Sequence, residues 1–172
     1  GAREDVPDWT YEFDAEKSKE ADSIVATWPG RRHFLALSIG AKLPDKDWGD
    51  RNWISVLDQL AAYDSSLGIM AIGAAEEKDR IGALLDDWPG PLLNLCGATS
   101  PVTSALAMRA AKFYLGHDSG PMHLAALIGL RCVAVFSARA KPGVWFPHGE
   151  GHEVLYPWHE VDAVPAKTGL RT

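Results

Sequence analysis

From residue 33 onward, short apolar runs alternate with longer stretches in which apolar residues recur every three or four positions. The runs at 33–39, 67–72, 92–96, 112–116 and 132–136 have strand length and no helical period, and 153–156 reads as a short sixth strand. Between the first two, residues 50–63 place Trp53, Val56, Leu57 and Leu60 on one face of a helix. A second amphipathic helix is predicted over 76–88, closed by Pro89-Gly90. Ser100-Pro101 pairs a hydroxyl cap with proline at the first helical position, and that helix is predicted to run to about residue 111. Ahead of the first strand, Asp14 caps a helix that Pro29-Gly30 ends at about residue 28.

Strands that alternate with helices are joined by right-handed crossovers into a parallel sheet. The expected fold is α/β, a Rossmann-like three-layer αβα sandwich with a parallel sheet of five or six strands over residues 31–157. Residues 1–30 read as a linker and N-terminal helix, and 158–172 as a C-terminal tail. In such sheets ligands sit at the carboxyl ends of the strands. The loops 40–48, 73–77, 97–100 and 117–120 should therefore face one crevice.

Composition narrows the function classes. A net charge of -6 with no basic cluster argues against a nucleic-acid partner. No apolar run approaches the roughly 20 residues that span a bilayer. Cys96 and Cys132 lie in separate strand-like runs and read as buried, reduced thiols, which points to a cytoplasmic setting. The first residue is Gly rather than Met, and the expectation is a chain processed or cut from a longer protein. Neither Gly-x-Gly-x-x-Gly nor a Walker A pattern is present, and there is no Gly-x-Ser-x-Gly elbow.

The chemistry concentrates in residues 114–136, where a strand runs through Asp118-Ser119-Gly120-Pro121 into a helix of small residues and then a second strand. The first amides of a helix have no partner within it, and with the helix dipole they seat an anion, typically a phosphate. Asp118 and His123 bracket that seat. The plainer reading is a helix cap by Asp118 or Ser119. Lys46, in the loop after the first strand, could reach a phosphate as a point charge, but on spacing alone it reads as a surface lysine. Asp45 and Asp47 form an Asp-x-Asp that could hold a cation, and the lysine between them opposes it. Glu76 and Glu77 could hydrogen-bond ribose hydroxyls or simply partner a helix dipole. Glycines flank and separate His148 and His152, which disfavours a helical metal pair.

These residues carry a family resemblance. Residues 116–136 resemble the Asp-Ser/Thr-Gly-Pro/Leu-x-His-Leu-Ala-Ala hallmark of heptosyltransferase-type glycosyltransferases, family nine, in the half that binds the nucleotide sugar. Ser38-Ile39-Gly40-Ala41 with Lys46 and Trp48 is similar to the family's Pro-Gly-Ala…Lys-x-Trp loop. Gly73-Ala74-Ala75-Glu76 is similar to its Gly-x-x-Glu, and residues 94–100 to its Asn-Leu-x-Gly-x-Thr-Ser. The resemblance implies one half of a GT-B fold that binds a nucleotide-diphospho-sugar without cofactor or required metal. Lys46, Asp118, Ser119, Gly120 and His123 would hold the diphosphate, Glu76 the ribose, and Ala98 and Thr99 would lie beside the base. Ile39 replaces the usual proline, and Ser137-Ala138-Arg139 replaces the usual Gly-Pro-Thr, with Arg139 a further candidate for the donor.

By the same resemblance, the general base and the acceptor site are expected in an N-terminal domain outside residues 1–172. The expected function is the donor half of an inverting glycosyltransferase of lipopolysaccharide synthesis, inactive alone. A glycan or lipid-linked acceptor would sit in the other domain, the full protein would contact the membrane peripherally, and the isolated half could pair as a homodimer. The rivals are a non-catalytic nucleotide-sugar-binding module and part of a GT-B-fold epimerase.

Overall fold

The computed structural model describes residues 13–138 and 141–157. Helix α1 (Ala15–Ala26) starts at Asp14, whose carboxylate accepts the Glu16 amide at 2.9 Å. Strand β1 (Phe34–Ser38) leads through a long loop to α2 (Asp50–Tyr63), and β2 (Gly68–Ala71) leads to α3 (Lys78–Leu84). Then follow β3 (Leu92–Asn94), α4 (Pro101–Met108), β4 (Tyr114–His117), α5 (Gly120–Leu127), β5 (Cys132–Val135) and β6 (Glu153–Leu155).

All six strands are parallel, in the order β3-β2-β1-β4-β5-β6. Strands buried on both faces need mostly apolar residues, which is why the inner strands β1, β2, β4 and β5 read as near-continuous apolar runs. Alternate residues then serve opposite layers. Phe34, Ala36, Met70, Tyr114, Cys132 and Ala134 pack with Ala21 of α1, Leu106 of α4 and Met122 and Ala125 of α5. Leu35, Leu37, Ile69, Ala71, Leu115 and Val135 pack with Trp53 and Leu57 of α2 and Ile81 of α3. The αβα sandwich expected from the sequence is thus present, with six strands.

Several element ends differ from the sequence reading: β4 runs on to His117, α1 ends at Ala26, and three further ends have a visible local cause. The stretch 76–88 is a 3-10 turn (Ala75–Glu77) followed by the shorter α3, which closes when the Leu85 amide bonds to the Ile81 and Gly82 carbonyls. Trp88 extended the apolar pattern, but its burial is tertiary, with its indole N–H donating to the Leu67 carbonyl at 3.0 Å. Helix α4 stops at Met108, where the Arg109 and Ala111 amides turn back three residues. Strand β3 ends at Asn94 because its side-chain oxygen takes the Cys96 amide at 3.0 Å.

Strands β1 and β4 are neighbours, yet the chain leaves β1 toward α2 on one face and β4 toward α5 on the other. The two outgoing loops diverge and leave a crevice at the carboxyl ends, the usual ligand position in an open α/β sheet.

Candidate functional site

The crevice brings together side chains far apart in sequence. Lys46, in a 3-10 turn (Pro44–Lys46) after β1, donates through Nζ to Asp118 Oδ2 at 2.5 Å. Asp118 is almost wholly buried, with 8% of its side chain exposed. Its other oxygen lies 4.0 Å from Nε2 of His123, on the first turn of α5. One carboxylate therefore lies between the two nitrogen-bearing groups that flank the start of α5 and hydrogen-bonds to one of them, Lys46.

That helix start carries no side-chain cap. Asp118 is committed to Lys46, and the Ser119 hydroxyl donates to the His117 carbonyl at 3.3 Å. The capping reading of Asp118 and Ser119 is thereby corrected: neither side chain takes a helix amide. The Met122 and His123 amides both bond to the Ser119 carbonyl, and Pro121 has no N–H. The positive end of the helix is left facing the crevice.

Two cavities meet there. The larger, about 850 Å³, is walled mainly by Ile72, Pro101, Leu124 and Leu127, with polar groups from Thr99, Ser104, His123 and His148. The smaller, about 310 Å³, is charged and takes Lys42, Lys46, Glu77, Asp118 and Ser119. Gly73, Ala74, Gly120 and Pro121 border both, so an apolar arm joins a charged arm at the start of α5.

Of the paired glutamates, Glu77 is the one inside. Its Oε2 accepts the Ala74 amide at 3.0 Å, and its carboxylate fills a slot between two glycines. A Cβ at Gly40 would stand 1.6 Å from Oε1, and one at Gly73 2.1 Å from Oε2. Glu76 is exposed and borders neither cavity. Ala98 is likewise exposed outside both, whereas Thr99 lines the larger one and shares a 2.7 Å hydrogen bond with Ser104. Arg139 lies outside the described residues.

The sequence reading missed Glu77 as the inward acid, Lys42, Ser104 and His117. Only the 3-10 turn decides which of two adjacent glutamates turns inward. His117 sits at the end of an apolar run, where nothing marks it as more than core. Asp47 proves structural: Arg80 grips it at 2.7 and 3.1 Å and reaches Asp50 at 2.6 Å. Burial works to raise the Asp47 pKa, but hydrogen bonds from Arg80 and the Gly49 amide outweigh it and hold the carboxyl below its ordinary range. His152 is occupied too, accepting the Cys132 amide at 3.1 Å through Nδ1 and donating through Nε2 to the His148 carbonyl at 2.9 Å. Burial pushes the Cys96 thiol up to about 11 and Cys132 up to about 12, so neither is a ready nucleophile.

The family model of glycosyltransferase family 9 (heptosyltransferase) matches residues 1–161. The chain belongs to that family. Its fold is similar to a family 9 glycosyl transferase from Veillonella parvula, with TM-score 0.74 at 18% identity, covering 88% of this chain and 43% of that one. It is also similar to the E. coli ADP-heptose lps heptosyltransferase II, with TM-score 0.67 and 20% identity over 84% of this chain and 44% of that one. The E. coli heptosyltransferase WaaC with ADP matches with TM-score 0.62 and 23% identity over 79% and 42%. The family 9 chain thus spans less than half the length of these solved structures. Comparison with curated proteins gives no match.

Proposed function

We propose that this family 9 chain is the donor-binding half of a glycosyltransferase, and that the crevice holds a nucleotide-diphospho-sugar. The observation that carries the reading is the open start of α5 flanked by Lys46, hydrogen-bonded to Asp118 at 2.5 Å, and His123, 4.0 Å from the same carboxylate. A diphosphate there meets the helix dipole, one ammonium and one imidazole, with Ser119 and Gly120 beneath it. The larger arm suits a nucleobase, because its walls are apolar and Thr99, Ser104 and His148 supply a few polar groups. We assign ribose or sugar hydroxyls to Glu77, which borders the smaller cavity, a role the family resemblance gave to Glu76.

Transfer needs charge stabilisation of the departing nucleoside diphosphate and a base for the acceptor hydroxyl. Lys46, His123 and the α5 dipole supply the first. The base and the acceptor, glycan or lipid-linked, are assigned to the other half of a GT-B enzyme in the cytoplasm. The two E. coli proteins of similar fold are heptosyltransferases, one of them with ADP, which favours an adenine nucleotide and a role in lipopolysaccharide synthesis.

The protonated lysine and the helix dipole supply positive charge directly, so binding is expected without a divalent ion. Calorimetric titration with ADP and UDP, with and without a chelator, checks it. Equal heats in both conditions support the reading, and binding that appears only with added divalent ion would overturn its metal-free part.

A further inference from the structure

His117 is fully buried at the last position of β4, between the sheet and α2. Its Nε2 accepts the backbone amide of Trp48 at 2.9 Å, across 69 positions of sequence. An N–H can point at Nε2 only if that nitrogen carries no proton, so the ring is neutral with its proton on Nδ1, which is buried and meets no hydrogen-bond partner among the described residues. Burial favours that neutral form, outweighing the pull of Asp47 toward the charged one. The ring is further held edge-on to Trp53 at 5.0 Å, and Trp53 is edge-on to Trp48 at 5.1 Å.

Because residues at a strand end alternate in direction, His117 points into the core while Asp118 points into the crevice. Both reach the same loop. Asp118 takes the Lys46 ammonium, and His117 takes the amide two residues further on. We propose that His117 is a positioning residue that fixes the β1–α2 loop so that Lys46 stands ready for a diphosphate; this rests on the donor-site reading above. His117 itself lines neither cavity. Its effect on ligand must therefore travel through Lys46. Without the His117 acceptor the amide of half-buried Trp48 loses its partner, and the loop relaxes to reach water.

The test uses two substitutions in the full chain. His117→Leu keeps apolar volume and removes the acceptor, while His117→Gln keeps an oxygen at similar reach. Lysine acetylation, read peptide by peptide by mass spectrometry, reports the loop without any ligand. Lys46 is expected to label faster in His117→Leu, with Lys19 unchanged, and to return to the wild-type rate in His117→Gln. ADP affinity should fall about tenfold in His117→Leu, the size of one positioned hydrogen bond to a charged group. In a Lys46→Met background the same change should cost no further affinity.

Additive losses in the two backgrounds, or a Lys46 labelling rate unmoved by His117→Leu, would overturn the proposal. A general loosening of the fold would raise labelling at Lys19 as well and would fail to be rescued by Gln, which also counts against it. If wild-type chain binds neither ADP nor UDP, the donor reading fails and the ligand role of His117 fails with it. Lys46 labelling then still decides whether His117 holds the loop.

Discussion

Asp118 shows how one side chain is fixed by what surrounds it. An aspartate after a strand and before a helix is an ordinary cap, and here that role is given up for Lys46. The exchange leaves the helix start free for a ligand and His123 beside it. If His123 meets the diphosphate, His123→Ala should weaken ADP by roughly 1.5–3 kcal/mol, the worth of a hydrogen bond to a charged group, and adenosine far less. Titrating both ligands into wild type and variant reads the difference. Equal losses would place His123 away from the phosphates. At this scale the family resemblance singled out Lys46, Asp118 and His123, which the fold brings to one crevice, whereas the choice between Glu76 and Glu77 was not legible, because adjacent residues in a tight turn point in different directions.

Among the elements, the strands and the helices α2 and α5 follow closely from period and punctuation. The ends that moved did so where a side chain or a three-residue turn took over a backbone amide, as Asn94 does after β3. The turn from α2 into β2 offers a pH test at this scale. Asp64 accepts from His33 at 2.6 Å and from the Ser66 amide and hydroxyl at 3.0 and 2.7 Å. The His33 hydrogen bond first, then those from Ser66, hold its carboxyl down to about 2. A carboxylate lowered in the folded state stabilises the fold above its unfolded value of about 3.9, and that stabilisation is lost as pH falls toward the folded value. Thermal melts of wild type and Asp64→Asn should therefore differ at neutral pH and converge on acidification toward pH of about 2. A gap that stays constant with pH would show that the charge on Asp64 does not matter.

For the whole molecule the open question is the opposite wall of the crevice. General-base catalysis needs a base within about 3 Å of the acceptor hydroxyl, and the acceptor must approach the sugar from the side away from the leaving diphosphate. The acids in the crevice, Asp118 and Glu77, are engaged with Lys46 and with the Ala74 amide. Leu43, Leu127, Val144 and Trp145 are exposed on loops or a helix near that edge, and Trp145 stands beside His123 with ring centroids 6.3 Å apart. Such a surface suits cover by a second domain or a second copy of the chain. The chain by itself is expected to bind donor and transfer no sugar. Incubation with nucleotide sugars and lipid or sugar acceptors, followed by assay of released diphosphate, checks this. Acceptor-dependent turnover at ordinary enzyme rates would mean that the base lies within these residues.

Hydrophobic periodicity, turn residues and helix caps are local, and they determined the order and kind of the elements and hence a parallel α/β sheet. The helix-start motif is local as well, so the open start of α5 between Asp118 and His123 could be singled out as a candidate anion seat. What only the tertiary structure decided were the pairings between loops. Lys46 meets Asp118 across 72 positions and Trp48 meets His117 across 69, because β1 and β4 lie side by side while their outgoing chains part to opposite faces. Sequence records which groups exist. Which of them share a crevice depends on strand order and on the packing that closes two layers over one sheet, and those are properties of the folded chain as a whole.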